Sequence, residues 1–275
     1  TTHYHAGAGG DGGTGGLGGS AFGGGVSNGG DITDASFTLG NSTISGNTVT
    51  AGGGGSGGSA GDGTFTEGGI KYAGADGGAG DGGSTAGGGI HSDSATMALT
   101  QVTIAFNKAA TGAGIFIGTA GSGDVTINNS TIAENTATIQ GGGIMSIGGA
   151  SNDSITLIST IIAANHAPTN SDLSGTFTVD HDLIQSVGSA TLVGTDSDAP
   201  TDISTTLTGI DPLLDVLTNN GGTTETMLLK TGSQAIDHGS NPLSLATDQR
   251  GTGFSRSLGT EDIGAVEVGT VAASG

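Results

Sequence analysis

The sequence predicts an all-β chain: a right-handed parallel β-helix, or solenoid, with Gly-rich insertions and a non-repetitive C-terminal segment. Three observations carry that expectation. The first is a recurring phrase: NSTISGN (Asn41–Asn47), QVTIAFN (Gln101–Asn107), NSTIAEN (Asn129–Asn135) and ISTIIAAN (Ile158–Asn165). The second is a glycine run ending in an aliphatic residue before each copy: GGGV (Gly23–Val26), GGGI (Gly87–Ile90), GAGI (Gly112–Ile115) and GGGI (Gly141–Ile144). The third is the period. Asn107 to Asn135 is 28 residues and Asn135 to Asn165 is 30, a spacing that signals stacked repeats.

Composition agrees. Gly is 59 of 275 residues, yet only four Pro and no strict Gly-X-Y period are present, which excludes collagen. Aromatics are 3% and Trp is absent, so the core has to be built from aliphatic and β-branched side chains, which suit strands.

Within each repeat, TMALTQVTI (Thr96–Ile104), DVTINNSTI (Asp124–Ile132) and SITLISTII (Ser154–Ile162) largely alternate apolar and polar residues. That is period two, a strand with one buried face. Gly and Asn clusters punctuate these strands as turns. Each coil buries its aliphatics only by stacking on the next, with equivalent residues about 4.8 Å apart.

The expected columns follow. Ile44, Ile104, Ile132 and Ile161 form an internal stack. Thr43, Thr103, Thr131 and Thr160 form an adjacent row. Asn47, Asn107, Asn135 and Asn165 form a corner ladder. The fourth copy has one extra residue before its Asn, so a bulge is expected there.

Three regions result: a Gly-rich segment 1–25; coils over 26–167 interrupted by a Gly-rich insertion at 51–86; and a C-terminal continuation and closing segment, 168–275. The Gly-rich tracts read equally as flexible linkers or as extended polyproline-II-like strands that only Gly lets pack closely.

Charge narrows the partners. The net charge is −20, with five basic residues, so nucleic acid and anionic membrane are poor partners. No stretch is long and apolar enough to span a membrane. The absence of Cys and the start at Thr1 fit an exported bacterial protein with a processed N-terminus, placed outside the cell or on its surface.

The C-terminal motifs are DPLL (Asp211–Leu214), NNGGTTETMLL (Asn219–Leu229), GSQAIDHG (Gly232–Gly239), TDQRG (Thr247–Gly251) and EDIGAVE (Glu261–Glu267). As a set they resemble the closing domain of secreted bacterial β-helix proteins of the choice-of-anchor Q type. The GGGI and NSTIxxN coils resemble the body of that family. The resemblance covers about 87–267, and more loosely 23–50. It implies a pectate-lyase-like β-helix, exported and displayed at the cell surface. Such proteins often carry an anchoring tail beyond this point. The residues from Val268 to Gly275 do not read as one, so anchoring through them is not expected.

Chemistry is sparse in the repeats. A β-helix lyase pairs an acidic Ca²⁺ cluster with a basic residue, and Lys71 and Lys108 are the cations in the coils. A hydrolase needs paired carboxylates on one face. The nearest cluster is Asp180-His181-Asp182, which reads more readily as a solvated turn. The Gly-tract acids Asp11, Asp62, Asp76 and Asp81 faintly echo a Ca²⁺ roll, with Asp81 in the best context, but the motif spacing is wrong. With a free amine, Thr1, His3 and His5 have the donors for Cu²⁺. His91, His166, His181 and His238 are scattered and read as structural or exposed, not as ligands. Arg250 is expected to pair with Asp237 or Asp262 and staple the C-terminal segment to the last coil.

The expected function is a secreted, non-enzymatic structural or surface protein. It is expected to self-associate head to tail into a fibre or matrix, or to act as an adhesin. The alternative is a β-helix that binds or degrades polysaccharides, with glycans as partners. No cofactor is required by the sequence; Ca²⁺ and Cu²⁺ are the candidates weighed. Open strand edges at the ends of a solenoid motivate the self-association.

Overall fold

The computed structural model describes residues 14–28, 36–59, 78–93, 96–118, 124–148, 155–195, 199 and 201–269. Contacts divide the chain into two units. One comprises Phe22–Val49 and Ala86–Gly275, the other Thr1–Ala21 and Thr50–Thr85. Among the described residues there are nineteen strands and no helix.

The strands, numbered along the chain, form three parallel sheets. The first contains β1 (Ala21–Phe22), β4 (Thr85–Ala86), β7 (Lys108–Thr111) and β11 (Thr136–Gln140). The second contains β2 (Val26–Asn28), β5 (Ile90–Ser92), β8 (Ile115–Ile117), β12 (Ile144–Ser146) and β15 (Leu173–Ser174). The third contains β3 (Ser36–Ser45), β6 (Thr96–Ala105), β9 (Val125–Asn128), β10 (Thr131–Ala133), β13 (Ile155–Ile158), β14 (Ile161–Ala163), β16 (Thr176–Asp180), β17 (Leu183–Ile184), β18 (Thr191–Gly194) and β19 (Leu207–Thr208). The chain visits the sheets in turn, and each strand pairs in parallel with its counterpart in the next coil. This all-β arrangement is compatible with a parallel β-solenoid.

Corners are made by stacked left-handed residues. One column is Asn41, Gln101, Asn129, Ser159 and His181, with φ from 45° to 56°. Another is Gly46, Phe106, Glu134 and Ala164. For a residue with a Cβ this conformation costs about 1–2 kcal/mol. The stacking of one coil on the next holds it in place. In the third column, Gly23, Gly87, Gly112 and Gly141 (φ 54° to 67°) meet no such cost. Each opens one of the glycine runs.

The core consists of columns. Val26, Ile90, Ile115, Ile144 and Leu173 are in register across the second sheet. Leu39, Leu99, Ile127, Leu157 and Val179 are in register across the third. All but Val26 and Leu39, in the first coil, are essentially buried. A buried aliphatic side chain of this kind contributes roughly 1.5–3 kcal/mol.

The isoleucine column corrects the sequence expectation. Ile44, Ile104 and Ile132 stack, and the next member is Ile162, not Ile161. Ile161 pairs with Thr131 and packs with Leu183, Leu229, Ala235 and Ile263. Thr160 likewise leaves the Thr row for the position of Ser130, whose N–H it accepts at 3.4 Å. The expected bulge is absent: Ile155–Ile158 and Ile161–Ala163 pair with the previous coil without a shift. The fourth copy has not gained a residue. Its Ser-Thr-Ile letters have slid by one along a backbone that keeps its register from Ile162 to Asn165.

The second unit is built from Gly. Amides at every third residue join three segments into a ring. Gly15, Gly18 and Ala21 donate to Gly78, Asp81 and Ser84; Gly52 and Gly55 donate to Gly19 and Gly16; Gly80 and Gly83 donate to Gly55 and Gly52. Three residues per turn is the polyproline-II period. A Cβ at Gly15 would collide with Gly55 O, and one at Gly80 with Gly16 O. The described parts of the two Gly-rich tracts therefore pack against each other, which rules out the flexible-linker reading for them.

Candidate functional site

The two recurring phrases meet in one layer. Asn47 donates its N–H and its Nδ2 to Oδ1 of Asn107, at 3.0 and 2.9 Å. Asn107 does the same to Asn135, and Asn135 to Asn165. Each later amide also caps a carbonyl one coil back: Asn107 on Ile44, Asn135 on Ile104, Asn165 on Ile132. Opposite them lie Gly25, Gly89, Gly114 and Gly143, where a Cβ would come within 2.9–3.1 Å of the Asn Nδ2. The same Cβ would press on Ile44, Ile104, Ile132 and Ile162. The glycine before each aliphatic residue is thus the space in which the Asn and Ile of the other phrase sit.

The ladder has a direction and one closed end. Asp172 Oδ1 accepts from Asn165 N–H and Nδ2, and its Oδ2 accepts from Ser186 N–H. A carboxylate has no amide to pass on, so the ladder stops. Burial raises the Asp172 carboxyl above its usual range, and the Asn165 hydrogen bonds pull it back. At the other end, Asn47 Oδ1 has no donor among the described residues.

A second polar column runs through the interior. Val102 N–H donates to Ser130 Oγ, Ser130 N–H to Thr160 Oγ1, Thr160 N–H to Asp182 Oδ1, and Asp182 N–H to Thr206 Oγ1. Asp182 Oδ2 accepts from Asp180 N–H. Asp182 is fully buried, and burial pushes its carboxyl well above the usual range. The Asp180-His181-Asp182 cluster therefore divides. Asp182 is spent on the core, whereas Asp180 Oδ1 lies 2.7 Å from His181 Nδ1 and accepts from Thr205 Oγ1.

The non-repetitive segment lies over the outer face of the third sheet. Gln249 accepts from Thr103 Oγ1 at 2.6 Å, and its Nε2 donates to Thr43 Oγ1 and Ser42 O. Gln101 Nε2 donates to Thr247 O. Ala265 N–H donates to Thr131 Oγ1, Asn129 Nδ2 to Ser240 O, and Ser240 N–H to Ser159 Oγ. Ile161 and Leu183 pack beneath Ala235 and Ile263. One strap thus fastens to successive coils, and it buries Thr103 and Thr131 completely.

Arg250 holds the strap together, but with other partners than expected. Its Nη2 lies 2.6 Å from Asp248 Oδ2 and donates to Glu267 O, and its guanidinium covers the Phe254 ring. Neither Asp237 nor Asp262 is its ion-pair partner. Asp262 receives Asp237 N–H and Val268 N–H, and its backbone O accepts from Arg256. Arg256 is fully buried with Nε 4.0 Å from Glu267 Oε2. Burial lowers the Arg256 pKa, with Glu267 and Asp248 opposing, and raises Glu267 to about 7. Gln249, Asp248, Arg256, Glu267 and Asp172 were not singled out from sequence. Three of them lie in TDQRG and EDIGAVE, but a pairing across many residues leaves no local spacing to read.

Of the metal candidates, Asp81 alone lies among the described residues. Thr1, His3 and His5 lie outside the described residues, as do Asp11, Asp62, Asp76 and Lys71. Asp81 is exposed in the Gly unit. Among the described residues no three His, Cys, Asp or Glu side chains gather in a way that could hold a metal ion. His91 is buried between Phe22 and Phe116, ring centroids 4.8 and 5.2 Å away, and its burial lowers its pKa. Among the described residues no helix is long and apolar enough to cross a membrane.

The edges of the third sheet differ. Among the described residues β3, ten residues from Ser36 to Ser45, pairs with β6 alone. Its inward Phe37 and Leu39 are half-buried, while their partners Met97 and Leu99 are fully buried. At the far side the terminal strands are β18, four residues, and β19, two residues. Leu192 and Ile203 fold onto the core there.

No protein-family model matches the chain, and no curated protein or solved structure matches it.

Proposed function

We propose that the protein is an extracellular, non-enzymatic structural protein of the right-handed parallel β-helix type, which works by self-association at a cell surface or in a matrix. The observation that carries this reading is the β3 edge. It is ten residues long, paired on one side among the described residues, and free of charge and proline in a chain with 25 acidic residues. Strands of that kind pair with other strands unless blunted.

The distribution of polar chemistry supports the same reading. Buried Asn107, Asn135, Asn165, Thr160, Asp172 and Asp182 are consumed in ladders along the coils. Arg250 and Arg256 are consumed inside the strap. The extracellular placement rests on the resemblance of the C-terminal motifs to choice-of-anchor Q proteins, on the absence of Cys and on the acidity.

Size-exclusion chromatography with electron microscopy tests the proposal. Concentration-dependent association is expected, enhanced by salt or divalent cations that screen the negative charge. Monodisperse monomers at high concentration, with and without Ca²⁺, would refute it.

A further inference from the structure

Self-association through a strand edge has two geometries. Head-to-tail contacts join unlike ends and grow without limit; a two-fold contact joins like ends and closes at two. The two ends of this chain are not complementary.

The end at β18 and β19 is finished off. Its edge strands are short. Asp172 terminates the Asn ladder, and Ser186 N–H satisfies its second oxygen. Thr191 N–H donates to Gly175 O, and Ser189 N–H and Oγ both donate to Asn170 Oδ1. A Cβ at Gly194 would collide with Asp202 O, so chain already lies against β18. Exposed Asp202, whose carbonyl abuts Gly194, adds a charged residue there. Short strands, charges and proline are the usual devices that keep an edge from pairing.

The β3 strand itself has none of them. The strand reads SFTLGNSTIS, with neither charge nor proline. Phe37 and Leu39 are left half-buried, and Asn47 Oδ1 is a ladder acceptor that lacks a donor among the described residues. Acids flank the strand: Asp31 and Asp34 precede it in sequence, and exposed Glu225 accepts from Thr43 through its carbonyl.

From this asymmetry we propose that two copies pair through their β3 edges, related by a two-fold axis, and that assembly closes at the dimer. The proposal rests on the self-association reading above and specifies its partner and its stoichiometry. A second copy fits for two reasons. The two-fold axis places uncharged strand against uncharged strand, so two chains of net charge −20 meet where neither carries charge. It also satisfies both open edges in one contact, whereas a head-to-tail contact would set a ten-residue edge against strands of four and two residues. The net negative charge of the two copies opposes the approach, so added salt strengthens the pair.

Sedimentation velocity over a concentration series, at low and high salt, tests this on the whole chain. The expected species is twice the 26.0 kDa chain mass, favoured by salt. The double variant Thr38→Lys with Gly40→Lys places charges on the exposed positions of β3; a Cβ at Gly40 lies 3.5 Å from Thr100 O and fits. It is expected to lower the association constant by at least about tenfold, with unchanged far-ultraviolet circular dichroism. Thr191→Lys, at the exposed first position of β18, is expected to leave the dimer intact. A dimer that survives the β3 variant, or is broken by Thr191→Lys, overturns the proposed interface but leaves self-association standing. Growth beyond two copies overturns the closure in the same way. A monomer under every condition overturns both.

Discussion

Asn107 Oδ1 accepts both the N–H and the Nδ2 of Asn47, and Asn107 passes the same pair of bonds to Asn135. One amide per coil therefore ties each corner to the next, and its strength depends on where in the ladder it is cut.

Asn135→Ala removes the acceptor of two Asn107 donors and the amide that caps Ile104 O, and leaves Asn165 Oδ1 with the backbone N–H of position 135 alone, all within a buried column. Each buried group left unpaired costs about 1–3 kcal/mol, so a total loss of about 3–5 kcal/mol is expected. Asn47→Ala, at the half-buried open end, is expected to cost only about 1 kcal/mol. Urea unfolding of the two variants checks the contrast.

Gln249→Ala loosens the strap on the first two coils, because Gln249 bridges Thr43 and Thr103, and leaves the Gln101–Thr247 and Thr43–Glu225 bonds in place. A loss of about 2–3 kcal/mol is expected. Hydrogen exchange is expected to rise in the strap around Thr247–Gly251, with the Ile104 and Ile132 layers still protected.

The strap makes stability pH-dependent. Glu267 has a folded-state pKa of about 7, above its ordinary 4.5, because burial outweighs the pull of Arg256 and the Asp262 N–H. A raised folded-state pKa means that the folded state binds the proton more tightly. The stabilisation is full below about pH 4.5 and is lost as pH rises through about 7. Burial raises Asp172, Asp182 and Asp262 in the same direction. Melting temperature is thus expected to fall between pH 5 and pH 8, and Glu267→Gln is expected to flatten part of the decline. A melting temperature that rises over that range contradicts the account.

The Gly unit has hydrogen bonds but little apolar surface to bury, so it is expected to unfold apart from the coils. Gly80→Ala collides with Gly16 O. It is expected to abolish exchange protection at Gly15, Gly18, Gly52, Gly55 and Gly83 while leaving the main transition in place. Exchange mass spectrometry of the variant reads both.

The all-β, parallel character was legible because two periods coincide: alternation within strands, and the 28–30-residue return of the Asn. The register was legible only from the right anchor. Aligned on its Asn165, the fourth copy places Ile162 in the stack; aligned on the letters Ser-Thr-Ile, it places Ile161 there. Backbone hydrogen bonding follows the corner, not the word, and Ile161 is free to turn outward because the strap offers Ala235 and Ile263 as cover. The partners of Arg250 were illegible for a related reason. Asp248, two residues away, outcompetes distant Asp237 and Asp262, and the choice depends on a fold of the strap that has no period. The Gly tracts gave composition without direction. Their every-third-residue bonds join segments separated by dozens of residues.

The central claim is that the protein acts through the open edge of its first coil. Hydrogen exchange of the β3 amides, Ser36–Ser45, as a function of protein concentration tests it most directly. The account predicts slow exchange at high concentration and fast exchange on dilution, with β6 protected throughout. Exchange in β3 that does not change with concentration would contradict it.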